Sequence, residues 1–134
     1  MKKLFFSIFS LLLVSITFAQ NQEASKDADK LIKIYNFDDE QSATMLEIQQ
    51  RKFLNLAEIS SLEESNKKMY RHKRKAIYQS TDASLRRMLN DDQMKIYKNN
   101  RIEWRKKRAD KTAELKAQGK TLEEIEDALL DLEQ

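Results

Sequence analysis

The sequence predicts an all-α protein, and three observations carry that prediction. Its 134 residues include one Gly and no Pro, so the residues that build the turns of a sheet are nearly absent. Charged residues make up 35% of the chain, and apolar residues recur among them at three- and four-residue spacing, the period of a helix face. Two strings, Phe37-Asp38-Asp39-Glu40-Gln41 and Leu89-Asn90-Asp91-Asp92-Gln93, have the form of a helix start. In each, Asp38 or Asn90 can accept a bond from a free first-turn amide, and Gln41 or Gln93 can reach back to the cap's own N–H. The acids between them sit where the helix dipole favours negative charge.

Taken in order, residues 1–19 read as a secretory signal peptide. Lys2 and Lys3 precede an apolar run from Leu4 to Phe18, and Thr17-Phe18-Ala19 offers a cleavage site that leaves Gln20 as the new N-terminus. The run is short of the ~20 residues that span a bilayer, and no Cys follows it to carry a lipid. The expectation is a mature domain, 20–134, in a bacterial periplasm or outside the cell, with no stable membrane insertion. Absence of Cys also excludes disulfides, thiolate metal sites and thiol nucleophiles.

Glu23 to Tyr35 forms a first short helix with Ala24, Ala28, Leu31, Ile32 and Tyr35 on one face, and Asn36-Phe37 breaks it. A second helix is expected from Asp38 to about Tyr78, roughly 60 Å long at 1.5 Å per residue. Its stripe reads Met45, Ile48, Leu56, Ile59, Leu62, Met69 or Tyr70, and Ile77, with Lys52 and Asn66 filling two stripe positions. Gln79-Ser80-Thr81 is expected to turn the chain into a short helix over Asp82 to Leu89. A third long helix starts at Asn90, where Leu89 and Met94 can form a hydrophobic staple. It carries Ile96, Tyr97, Asn100, Trp104 and Leu115, and ends at Gly119, the natural left-handed cap. Thr121-Leu122-Glu123-Glu124 is a third capping box, starting a last helix with the stripe Leu122, Ile125, Leu129 and Leu132. A short connection between long helices makes them antiparallel. The expected fold is therefore a long antiparallel helical hairpin with short N- and C-terminal helices. So thin a hairpin leaves apolar side chains to cover, which predicts a homodimer.

Charge is unevenly spread. Residues 20–50 carry three basic and seven acidic side chains, residues 51–118 nineteen and nine, and residues 119–134 one and six. Two basic runs, Arg71-His72-Lys73-Arg74-Lys75 and Arg105-Lys106-Lys107-Arg108, encircle their helices, because successive helical residues point 100° apart. If paired positions across the hairpin sum to about 171, Arg105 to Arg108 meet Glu63 and Glu64, while Arg71 to Lys75 meet no acid. That second girdle is the expected site for a negatively charged partner. Export, and a net charge near zero once Lys2 and Lys3 leave with the signal, argue against nucleic acid. The acidic last helix has two readings: a docked cover that screens the basic surface, or a detachable arm.

Enzyme chemistry is not indicated. The single His, His72, lies in a basic run with no nucleophile or carboxylate beside it in sequence. No Gly-rich phosphate loop exists, and Asp38-Asp39-Glu40 and Asp91-Asp92 serve as helix-start acids rather than metal ligands. No catalytic residue, metal site or cofactor is expected.

The twin helix starts, the signal peptide, the size and the Gly/Pro poverty together resemble the Spy/CpxP-like periplasmic proteins, marked by repeated Leu-Thr-x-x-Gln motifs. Leu89-Asn90-Asp91-Asp92-Gln93 matches with Asn for Thr, and Phe37-Asp38-Asp39-Glu40-Gln41 with Phe for Leu and Asp for Thr. The resemblance covers roughly 30 to 118. It implies a thin, cradle-shaped helical homodimer acting as an ATP-independent chaperone for unfolded proteins, or as an envelope-stress adaptor. The family motif carries over only to Asp38, Gln41, Asn90 and Gln93, as structural caps. From charge alone, client contact is expected at Arg71, Lys73, Arg74, Lys75, Arg86, Arg87, Arg101 and Arg105, flanked by Tyr78 and Tyr97. The rival reading is a dedicated helical interaction module for one envelope partner, without chaperone activity.

Overall fold

The computed structural model describes residues 21–132, every regular element of which is a helix. The expected signal peptide, 1–19, lies outside the described residues. The chain divides at Glu58/Ile59 into two compact units.

The first unit joins α1, helical over 21–35, to α2, Asp39–Glu58. Asn36 breaks the path where the sequence expects it. Its φ of 50° is left-handed, a conformation that Asn tolerates better than most residues. The Phe37 N–H donates to the Ile32 carbonyl at 3.2 Å, and the Tyr35 and Phe37 rings stack with centroids 5.5 Å apart. Asp38 then caps α2: its Oδ1 accepts from the Gln41 N–H at 2.8 Å, and Gln41 Oε1 accepts from the Asp38 N–H at 3.3 Å. Ala24, Ala28, Met45 and Ile48 are buried. Lys52, the cation in the α2 stripe, is buried with them and donates to Asp27 Oδ2 at 2.6 Å. Its ammonium also lies 4.5 Å from the centroid of the Phe53 ring. Burial pushes the Asp27 carboxyl up, but Lys52 and Lys30 outweigh it and hold the group below its ordinary value.

The second unit corrects the expectation of one helix from Asp38 to Tyr78. The chain turns at 59–61, makes one short helix, α3 (Leu62–Ser65), and restarts as α4 (Lys67–Met88). Asn66 is the reason. It is a cap rather than a stripe residue: at φ −154° and ψ 75° its side chain accepts from the Met69 N–H at 3.1 Å. Ser65 Oγ donates back to the Ser61 carbonyl at 2.7 Å, as hydroxyls do near helix ends. The expected turn at Gln79-Ser80-Thr81 is instead continuous α4. Ser80 and Thr81 both donate to the Ile77 carbonyl, at 3.0 and 2.9 Å, so the hydroxyls are satisfied inside the helix.

The break between α4 and the next helix falls at Leu89-Asn90. Asn90 and Gln93 form the reciprocal capping box, with bonds of 2.9 and 3.0 Å. It opens α5 (Asp91–Ala117), 27 residues and about 40 Å long. Tyr97 clasps α5 to α4 by donating its hydroxyl to the Asp82 carboxylate, whose oxygens lie 2.9 and 2.8 Å away. Burial first, then Asp82, pushes the Tyr97 phenol up to about 12. Asp82 and Tyr97 are not opposite each other in the expected pairing, whose positions sum to about 171.

Gly119 closes α5 with a φ of 73°. The Gly119 N–H bonds the Lys116 carbonyl and the Lys120 N–H the Leu115 carbonyl, at 3.0 and 3.1 Å, the pattern of a left-handed helix stop. Thr121 and Glu124 then cap α6, Leu122–Asp131. Lys120 foremost, with Thr121, draws the Glu124 carboxyl down to about 2. Ile125 and Leu129 cluster with Leu115 of α5 and with Ala128. The expected stripe is rotated: Leu130 is buried, while Leu122 and Leu132 are exposed. The rotation places a second face of α6, the acidic one, against α4.

Candidate interaction surface

A helix four residues on presents nearly the same face, so Lys67, Arg71, Arg74, Tyr78 and Leu85 share one side of α4. By the same spacing, Glu123, Asp127 and Asp131 share one side of α6. These two sides meet. Lys67 Nζ is 2.9 Å from Asp127 Oδ2, Arg71 pairs with Glu123 and lies 3.3 Å from Asp127 Oδ1, and Arg74 is 3.0 Å from Asp131 Oδ1. Arg74 also donates to the Leu130 carbonyl at 3.3 Å and lies 5.7 Å from the Tyr78 ring centroid. Asp127 raises the Lys67 ammonium above its ordinary value. Glu123 does the same for Arg71, helped by Asp127. Burial pulls Arg74 down, but Tyr78 and Asp131 outweigh it.

This overturns the expectation that the girdle from Arg71 to Lys75 meets no acid. Arg71 and Arg74 are turned inward and neutralised by α6, whose acidic period the sequence contains but whose orientation depends on docking. Lys73 and Lys75 are exposed and, like Lys68, make no ion pair with a described residue.

Between α4, α5 and α6 lies a cleft of about 590 Å³. Lys68, Arg71, His72 and Lys75 line it from α4, Arg108 from α5, and Leu122, Glu123, Glu126 and Leu130 from α6. Cations outnumber acids on its walls, so its field attracts anions. On α5 the single Trp, Trp104, is half-buried, with the Arg101 and Arg108 guanidinia 4.6 and 5.3 Å from its ring. Such stacking holds both guanidinia close to an apolar surface.

The other expected contact residues separate into two groups. Arg86, Arg87 and Arg105 are exposed; Arg86 reaches over the Tyr97 ring at 5.9 Å and Arg87 donates to Ser84 Oγ at 3.1 Å. Tyr78 is half-buried, and Tyr97 is buried and committed to Asp82, which makes it a structural clasp rather than an open apolar flank. Asp38, Gln41, Asn90 and Gln93 all sit at helix caps. Among the described residues, no three of the metal-ligating types gather to hold an ion. No described helix is long and apolar enough to cross a membrane.

Comparison with protein-family models, with curated proteins and with solved structures gave no match.

Proposed function

We propose that the chain is an exported, ATP-independent chaperone or envelope-stress adaptor of the Spy/CpxP-like kind, holding unfolded client segments that are acidic and partly apolar. The carrying observation is the cation-rich cleft: Lys68, His72 and Lys75 beside Arg108, with Trp104 stacked between guanidinia on the neighbouring stretch of α5. Charge draws an acidic segment in, and aromatic and aliphatic surface then retains it. The Asp82–Tyr97 clasp supports reading α4 and α5 as the antiparallel pair of a hairpin. On this reading two copies pair into a cradle-like homodimer that leaves the basic face open.

The test is suppression of aggregation of several unrelated unfolding proteins at near-stoichiometric amounts. Suppression should weaken with added salt and in a Lys73→Gln/Lys75→Gln/Arg105→Gln variant. No suppression with any client removes the reading. A second reading, a dedicated module for one envelope partner, is favoured by the neutralisation of Arg71 and Arg74, which narrows the surface left for promiscuous holding. That module would bind one partner in the same salt range while leaving unfolded proteins to aggregate.

A further inference from the structure

We infer that the face of α4 carrying Lys67, Arg71 and Arg74 is a docking site for acidic amphipathic helices, and that α6 occupies it as a built-in stand-in. The inference rests on the client-binding reading only in taking acidic segments as the ligand, and it adds beside the cleft a face for one class of them: a helix with carboxylates at i, i+4 and i+8.

Three observations carry it. First, the face has its own need for anions. The first turn of α4 holds Lys67 and Lys68 and no acid, which places cations at the helix end where the dipole is already positive. Second, the two sides of the contact are unequal. The Arg71 and Arg74 side chains keep only 12% and 10% of their exposure, whereas those of Glu123 and Asp131 keep 63% and 66%. On its own helix Arg74 lies against the Tyr78 ring, while the outer carboxylates, Glu123 and Asp131, lie at the rim where another helix can replace them, with Asp127 between them at 28% exposure. Third, α6 depends on its docking, through Ile125 and Leu129 on Leu115 as well as through its carboxylates. It is a ten-residue helix, too short to be stable alone in water, and Gln118-Gly119-Lys120-Thr121 joins it to α5. An incoming helix with more acids than α6 gains the cations that α6 leaves unpaired, Lys68 and Lys75.

The probe is a fluorescein-labelled peptide with the sequence of residues 121–132, added to the full chain and followed by anisotropy. Wild-type protein should bind it weakly, because the site is filled. A Glu123→Gln/Asp127→Asn/Asp131→Asn chain, whose own α6 no longer competes, should bind it about tenfold more tightly or better. Adding Arg71→Gln and Arg74→Gln should abolish that gain. A peptide of the same composition with the carboxylate spacing scrambled should bind no better to the variant than to wild type. Equal affinity of wild type and variant for the ordered peptide, or equal binding of ordered and scrambled peptides, overturns the inference. Should the variant lose helicity, hydrogen exchange of the 122–131 amides in wild-type protein replaces it. Excess peptide should speed that exchange, and unchanged protection with peptide bound overturns the inference. Client holding without peptide displacement removes this inference alone. Peptide displacement without client holding removes the chaperone reading and leaves this one standing.

Discussion

Asp27 with Lys52, and the α6 carboxylates with Arg71 and Arg74, use the same chemistry in different surroundings. Each fastens a short helix to a longer one through an acid on the short partner and a cation on the long one. In the first, both side chains are withdrawn, Lys52 to 9% and Asp27 to 19% of full exposure, and they lie at 2.6 Å. Lys52 is buried in the same α2 stripe as Met45 and Ile48 and also touches Phe53. In the second, the cations are withdrawn but the outer acids, Glu123 and Asp131, reach solvent at 63% and 66% exposure, so screening acts on those pairs, while Asp127 between them keeps 28%. The difference teaches that helix-to-helix ion pairs are permanent or releasable according to which partner faces water. A pair withdrawn on both sides leaves an uncompensated charge when one member goes, whereas a rim pair exchanges with ions at little cost.

The largest expected effect comes from breaking the withdrawn pair. Asp27→Ala leaves the Lys52 ammonium buried without its carboxylate and should destabilise the first unit by about 2 kcal/mol, less than a fully dry pair because solvent reaches Asp27. Urea unfolding measures it, and Asp27→Leu with Lys52→Met should recover most of the loss. Recovery would show that the pair sets geometry more than stability. No loss on Asp27→Ala would erase the contrast.

Next is the releasable side. Thr121→Ala removes the α6 cap that accepts from the Glu124 N–H at 3.2 Å and should cost about 1 kcal/mol. The cost should be confined to residues 122–131, read as faster amide exchange there with protection of 39–58 unchanged. Loss of protection along α2 as well would mean the two clasps are not independent.

The smallest effect is an acid titration. Glu124 is drawn from 4.5 to about 2 in the folded chain. A depressed folded value gives stability that is fully present above the ordinary value and lost as pH falls through the folded one. The capping contribution of Glu124 should therefore fade between 4.5 and about 2, seen as loss of α6 amide protection. Thr121→Ala should move that loss toward higher pH, because Glu124 then keeps Lys120 but loses the hydroxyl donor. An unmoved midpoint would assign the depression to Lys120 and the Thr121 backbone N–H, which the substitution keeps.

Much of the fold was legible because caps are local chemistry. Asp38 with Gln41, Asn90 with Gln93, and Thr121 with Glu124 each need only three residues of chain and close as their spacing requires. Gly119 is equally local. The break at 59–66 is hidden because the stripe Leu56, Ile59 and Leu62 keeps helical period straight through it, and a polar Asn66 at a stripe position looks the same whether it is a gap or a cap. Ser80 and Thr81 misled in the opposite direction, since a hydroxyl that bonds its own preceding turn costs a helix little. The surface was less legible than the fold. Exposed Lys73, Lys75, Arg86, Arg87 and Arg105 follow from charge pattern alone. The fate of Arg71 and Arg74 depends on which face of α6 arrives, set by Ile125 and Leu129 packing on Leu115 rather than by the basic run itself, and that of Tyr97 depends on Asp82.

The four-residue tether between α5 and α6, 118–121, has a kinetic and competitive consequence. A ligand tied this closely to its own site acts as though present at roughly millimolar concentration. A single free acidic helix of equal intrinsic affinity must approach that level to displace it. On the proposed reading, the tether would therefore set a threshold of acidic-helix concentration below which α6 keeps the α4 face covered.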